Sequence, residues 1–161
     1  MASWAEFQRQ RPDMATDGRL LLLPATPGYA FLGTVRKDGG PRMHPVCLIL
    51  CEGELYVFVV NLGPKYRDLL RDPRYALHSF PTVVGGEEFY LTGLAHPEDD
   101  PQIRERVVRS TNGALGTHDF EALFRFELDT VLHTHWENWG TGVPSPQFAI
   151  WHAEKPPSAE R

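Results

Sequence analysis

The chain has 161 residues, of which 42% are hydrophobic, and its four tryptophans and nine phenylalanines are enough to fill the core of one domain. The formal net charge is -5, and no run of lysine and arginine offsets it. A surface that neutralises nucleic-acid phosphates is therefore not expected.

The first 28 residues are predicted to form a helical lead-in to the main domain. Trp4 and Phe7 are three apart, a spacing that places both side chains on one face of a short helix. Prolines and a glycine between Pro12 and Gly28 interrupt the chain beyond it. The amino terminus is polar where a secretory signal is apolar, and the leucine run 20–23 is too short to span a membrane. A cytoplasmic location is therefore the expectation.

Residues 29–153 are predicted to form a mainly β domain. Stretches rich in β-branched and aromatic residues alternate with turn sequences, two of which are short enough for hairpins. The predicted strands are 29–36, 42–51, 54–60, 75–80, 87–96, 123–136 and 146–152. This succession favours an antiparallel barrel of six to seven strands, closed or partly closed, over a parallel α/β sheet.

Two short helices are predicted between the strands. Pro64 suits the first turn of a helix, the pair 69–70 supplies an apolar side, and Pro73 ends the helix. A second helix is predicted within 99–111, because two aspartates and a proline form a good start signal. The polar tail, residues 154–161, has the composition of a disordered segment.

Three further features favour structural roles. Cys47 and Cys51 are four apart in a predicted strand, about 13 Å at strand rise, which is too far for a disulfide. Residues 85–89 spell the GGEEF signature of diguanylate cyclases, but no aspartate precedes them in a strand pattern, so a hairpin turn is the interpretation. His133 and His135 have a spacing that metal sites use, yet matching carboxylates are lacking and no metal site is predicted.

In the block from Phe31 to Phe80, a strand with a T-V-x-x-D-G-x-P turn leads to a strand with a basic start, then to a hairpin and a short helix carrying a lysine. The residues that form this pattern are Thr34, Val35, Asp38, Gly39, Pro41, Arg42, Pro45, Val46, Asn61, Leu62, Gly63, Lys65, Asp72 and Pro73. The block resembles the core of the pyridoxamine 5'-phosphate oxidase-like, FMN-binding split-barrel family, in which these elements follow in the same order. The resemblance implies a mainly β split barrel and a homodimer with a flavin at the subunit interface.

The resemblance also implies a phosphate site at the start of the short helix. A mononucleotide phosphate is a dianion, which requires fixed cations and backbone amides. Lys65 is the implied phosphate ligand, with Arg42 and Arg67 as the other cations. Pro64 departs from the family, in which a serine or arginine at this position also binds the phosphate.

Contacts to the flavin ring are implied for two strand segments. The residues concerned are Met43, His44, Pro45, Val46, Val59 and Val60. Glu88 falls where the family has a glutamine that contacts the ring edge. A carboxylate cannot donate to a flavin carbonyl, so Glu88 either turns away, is protonated, or indicates a different cofactor.

The substrate is not indicated by the resemblance. The carboxyl-terminal arginine and histidine motif of true pyridoxamine-phosphate oxidases is missing, so vitamin B6 oxidation is not expected. Trp136, Trp139 and Trp151 are candidate walls of a substrate cavity, with core or dimer packing as the alternative. The predicted function is an FMN-dependent oxidoreductase acting by hydride transfer. The alternatives are a deazaflavin (coenzyme F-420)-dependent reductase and a flavin- or haem-binding carrier or sensor without turnover.

Overall fold

A computed structural model describes residues 1–80 and 86–154 of the chain. Within these residues there are seven strands and four helices. In chain order they are α1 (Trp4–Gln10), α2 (Pro12–Leu22), β1 (Gly28–Val35), β2 (Pro41–Cys51), β3 (Glu54–Val60), α3 (Pro64–Arg71), β4 (Arg74–Ser79), β5 (Glu88–Pro97), α4 (Pro101–Ser110), β6 (Glu121–Glu137) and β7 (Ser145–His152).

Six of the strands close into an antiparallel barrel. The sheet order is β3-β2-β1-β4-β5-β6, and β3 also pairs with β6, which closes the ring. β7 pairs with the far half of β6 and lies outside the barrel. The predicted six- to seven-stranded antiparallel barrel is therefore confirmed. β4 and β5 pair antiparallel, and Glu88 and Phe89 of the GGEEF residues lie in β5, whereas Gly85 lies outside the described residues.

The barrel is split between β2 and β3. These two strands pair only where residues 49–51 face residues 54–56, beside the two-residue turn that joins them. Residues 41–48 of β2 pair with β1 on one side and with no described strand on the other. β3 pairs with β6 along residues 55–60 on its other edge, so its residues 57–60 have no described strand partner on the side of β2. A gap thus opens along residues 41–48, beside an edge of β2 that can offer backbone groups.

The amino-terminal helices are part of the core. Trp4, Phe7, Met14 and Leu22 are all completely or almost completely buried. The prolines of this segment argued against a second helix, but Pro12 is the first residue of α2, a position where its missing N–H is not needed. Residues 1–28 therefore cover one side of the barrel with two helices.

No helix among residues 1–80 and 86–154 is long and apolar enough to cross a membrane. Cys47 and Cys51 are free thiols. The predicted disordered tail falls outside the described residues apart from Glu154, and its disorder stays a prediction.

Candidate functional site

A cleft lies at the split between β2 and β3. It has a volume of about 310 Å³, and its walls come from β1, β2, β3, α3, the segment that joins α4 to β6, and the first residue of β6. The lining residues are Tyr29, Pro45, Val46, Cys47, Phe58, Lys65, Leu115 and Glu121. The cleft therefore brings Lys65 together with the unpaired segment of β2.

Lys65 is a partly buried cation without a matching carboxylate. It belongs to the first turn of α3, where no side chain caps the free backbone amides. No carboxylate among the described residues pairs with it, and the nearby Glu121 accepts instead from the His118 backbone N–H at 3.0 Å. Burial lowers the pKa of Lys65, an effect that the neighbouring Cys47 opposes. Because a desolvated charge is unfavourable when unpaired, the site favours a bound anion.

Arg42 is held by a buried carboxylate. Its Nε donates to Asp68 Oδ2 at 2.7 Å, and Asp68 is only 3% exposed. Asp68 also accepts from Thr34 Oγ1 at 3.2 Å and from Arg71 at 3.1 Å. The three donors come from β1, β2 and α3, so this carboxylate joins the two strands to the helix.

His44 lies between these charged groups. Its Nε2 is buried and has no hydrogen-bond partner among the described residues. Burial, followed by the positive charges of Lys65 and Arg42, lowers the pKa of His44 below its ordinary value of 6.5, while Asp68 acts in the opposite direction. The imidazole is therefore neutral at pH 7 and leaves an unsatisfied polar atom beside the site.

The remaining residues of the predicted ring site differ in exposure. Met43 and Pro45 are exposed on β2, whereas Val46 is buried. Val59 is completely buried in the core, whereas Val60 is 45% exposed. The β2 residues and Val60 thus border the gap.

Two of the predicted residues, Arg67 and Glu88, do not line the cleft at Lys65. Arg67 is exposed on α3 and makes no ion pair within the described part of the chain. Glu88 is exposed at the start of β5, and β1 and β4 separate that strand from β2. One subunit therefore does not bring Glu88 to the cleft at Lys65.

The three tryptophans do not form one wall. Trp136 and Trp139 pack edge to face with ring centroids 5.6 Å apart, and both lie against Gly86. Trp151 is 7% exposed and packs on Phe7 at 5.0 Å. The first two lie together at the β6–β7 turn, whereas Trp151 joins the core to α1.

The sequence interpretation missed Asp68, Cys47 and Tyr29 as neighbours of the site. A signal for Asp68 was present, because it lies three residues after Lys65 and three before Arg71 and so shares a helix face with both. Among residues 1–80 and 86–154 no group of three histidine, cysteine or carboxylate side chains is placed to hold a metal ion.

The six-stranded barrel, its split and the cation at the start of α3 define the class of FMN-type split barrels. The family model described as pyridoxamine 5'-phosphate oxidase matches residues 20–139. The chain belongs to this family, as its sequence resemblance indicated. No curated protein sequence matches it.

Solved structures of low sequence identity share the fold. A NimC/NimA family protein from Clostridium acetobutylicum is 17% identical over 90% of this chain and 96% of its own, with a TM-score of 0.60. A haem-binding protein from Mycobacterium smegmatis is 16% identical, with a TM-score of 0.60, over 79% of this chain and 54% of its own. The haem storage protein HutZ from Vibrio cholerae is 15% identical, with a TM-score of 0.55, over 80% of this chain and 92% of its own.

Proposed function

We propose that the chain binds FMN at the split of its barrel and is a flavin-dependent oxidoreductase acting on a small molecule by hydride transfer. The observation that carries this proposal is Lys65, a partly buried cation at a helix start, without a carboxylate partner in the described chain and beside an unpaired strand edge. Family membership supports the same reading.

The residues present fit a flavin mononucleotide. Lys65 and the free amides of the first turn of α3 would hold the phosphate, although Pro64 contributes no N–H. The edge of β2 along residues 43–46 would offer backbone donors and acceptors to a flat heterocycle. Bound FMN supplies the hydride chemistry; the chain itself binds and orients the group and keeps water from it.

We propose a homodimer as the functional form, because one broad face of the sheet carries a row of mostly aromatic and aliphatic side chains that stay partly or largely exposed in the described part of the chain. Strand register places a row of side chains on this face across five strands. The row consists of Phe31, His78, Tyr90, Leu132 and Ile150. Phe148 on the same face is 63% exposed and Ile150 is 53% exposed. A contiguous set of exposed apolar side chains is typical of subunit interfaces.

A dimer would also bring together predicted site residues that lie apart within one subunit. Tyr29 and Met43, which border the cleft and the edge of β2, are 54% and 69% exposed on the same face. A second subunit against this face would bring its own residues to the cleft. We propose that Glu88 and the pair Trp136 and Trp139 reach a ligand in this way, from the subunit opposite.

The proposal is tested by titrating the purified protein with FMN and following flavin absorbance and fluorescence. We expect saturable binding, and we expect Lys65→Met to weaken it by tenfold or more, as the loss of a charge-assisted phosphate contact would. Lys37→Met is the matched control, since Lys37 is exposed in the β1–β2 turn. Absence of flavin binding, or equal loss in both variants, would refute the proposal.

Two other cofactors are tested by the same titration. Deazaflavin (coenzyme F-420) also carries a phosphate that Lys65 could hold, and binding of it in preference to FMN would identify a deazaflavin-dependent reductase. Haem is included because two of the similar structures are haem proteins. If no nicotinamide donor reduces the bound cofactor and no substrate reoxidises it, the protein is a carrier or sensor.

A further inference from the structure

We propose that Asp68 is a positioning residue of the phosphate site, holding Arg42 in place for the anion; this rests on the flavin site proposed above. Asp68 would not touch the ligand itself. It would act through Arg42 on β2, from whose Nε it accepts a hydrogen bond at 2.7 Å.

The Asp68 carboxylate has a fixed geometry. Asp68 is almost completely buried and accepts three side-chain hydrogen bonds, from Thr34, Arg42 and Arg71. Arg71 also donates to the Val35 carbonyl. Asp68 is therefore fixed from two strands and from its own helix, and it can hold Arg42 in one conformation.

Arg42 keeps most of its N–H donors free. Only its Nε is engaged by Asp68, and its two terminal nitrogens have no hydrogen-bond partner in the described part of the chain. Its side chain is 33% exposed. A guanidinium held by Nε presents its remaining N–H groups in a fixed plane, which suits bidentate binding of a phosphate.

Helix α3 brings Lys65 close to the Asp68–Arg42 pair. Lys65 and Asp68 are three residues apart on this helix, a spacing that places them on one face, and Asp68 accepts from Arg42 of β2 at 2.7 Å. The charges of both Lys65 and Arg42 also lower the pKa of His44. Arg42 is neutralised by Asp68, whereas Lys65 has no carboxylate partner among the described residues. Arg42 would supply a positioned hydrogen-bond donor, and Lys65 would supply an unpaired positive charge.

Positioning and simple electrostatics predict opposite results when Asp68 loses its charge. If Asp68 only contributes a negative charge near the site, Asp68→Asn makes the site more positive and strengthens FMN binding. If it positions Arg42, the same substitution frees the guanidinium and weakens binding of the phosphate. The sign of the change therefore distinguishes the two roles.

The experiment compares the dissociation constants of FMN and riboflavin, which differ only in the phosphate. We expect Asp68→Asn to reduce the preference for FMN by about tenfold, with riboflavin affinity changed less than about twofold. Asp72→Asn is the matched control, because Asp72 follows α3 and pairs with Arg74 at 2.6 Å. An unchanged or increased preference in Asp68→Asn would overturn the proposal.

A double-mutant cycle tests whether the effect passes through Arg42. In an Arg42→Met background we expect Asp68→Asn to have no further effect on the preference for FMN; an undiminished effect would overturn the proposal. Should Asp68→Asn not fold, Thr34→Val removes one of the three donors while keeping the carboxylate. It should then reduce the preference in the same direction, and no reduction would count against the proposal.

The results distinguish a wrong role for Asp68 from a wrong proposal of flavin binding. Wild-type protein that binds neither flavin refutes both. Wild-type protein that prefers FMN to riboflavin, together with an Asp68→Asn variant that keeps this preference, refutes the positioning role alone.

Discussion

Trp151 Nε1 donates to Gln10 Oε1 at 2.7 Å across 141 positions of the chain. This bond joins the last strand to the first helix. The Trp151 ring also packs on Phe7, so the amino-terminal helix is attached to the outer strand by both a polar and an apolar contact.

Gln10→Ala should lower the free energy of unfolding by about 1 kcal/mol, because it leaves the partly buried indole N–H without its acceptor. Gln8→Ala is the control, since the Gln8 side chain accepts only an exposed bond from Arg19. Urea unfolding followed by tryptophan fluorescence measures both. Equal stabilities of the two variants would show that the Trp151 bond does not contribute.

Asp68→Asn should also change stability in a pH-dependent way. Burial raises the pKa of Asp68, but the hydrogen bonds from Arg42, Arg71 and Thr34 outweigh it and lower the pKa below its ordinary value of 3.8. The stabilisation is therefore fully present above about pH 4 and is lost as the pH falls through the folded-state pKa.

We expect Asp68→Asn to cost about 2 kcal/mol at pH 7, and the difference from wild type to shrink below pH 4. Urea unfolding at pH 7 and pH 3 measures the free energy of unfolding of both proteins. Asp99→Asn, at an exposed aspartate without an ion pair in the described chain, should change stability by less than about 0.5 kcal/mol. A difference between wild type and Asp68→Asn that stays constant with pH would contradict this account.

Lys65→Met should stabilise the ligand-free protein. Burial lowers the pKa of Lys65, which means that the folded state disfavours its charged form. Replacement by an apolar side chain of similar length removes that penalty, and we expect a gain of up to about 1 kcal/mol at pH 7.

The gain should decrease as the pH rises toward 10, because wild type is itself stabilised when Lys65 loses its proton. Thermal unfolding of ligand-free protein measures the effect, with Lys37→Met as the control at an exposed site. A less stable Lys65→Met protein would mean that the ammonium group has a partner that compensates its burial.

The strands were predictable because their local patterns agree with the barrel. β3 has the predicted ends, and each of the other six strands begins and ends within two residues of its prediction, since β-branched and aromatic residues end at clear turn signals. Helix α2 was not predicted, because Pro12 reads as a break unless its place at the first helical position is known.

The site was predictable only in part. The start of α3 and Lys65 follow from local sequence, because a proline and a short amphipathic stretch mark a helix. The Asp68–Arg42 pair depends on how α3 packs against β1 and β2, which no local pattern contains. The separation of Glu88 from Lys65 likewise follows from the strand order of the closed barrel.

His44 should have a pKa below 6.5 in the ligand-free protein. Burial is the main cause, and the positive charges of Lys65 and Arg42 add to it. NMR titration of the imidazole measures this pKa, with His44→Gln to assign the signal. A dianionic ligand at Lys65 should raise it, because the added negative charge favours the imidazolium. A pKa at or above 6.5 without ligand would contradict the buried position.

The apolar sheet face should mediate dimerisation. Phe148 and Ile150 lie on this face of β7 and are both more than half exposed, and an introduced charge there would be buried without a partner in a dimer. We expect the wild-type chain to be dimeric in light scattering coupled to gel filtration, and Ile150→Lys to be largely monomeric. Leu20→Lys is the control, because Leu20 is 69% exposed but lies on α2.

Flavin affinity should fall in Ile150→Lys together with the fraction of dimer, since the proposed cleft is completed by the second subunit. A monomeric wild-type protein that binds FMN fully would show that the interface is not needed for the site.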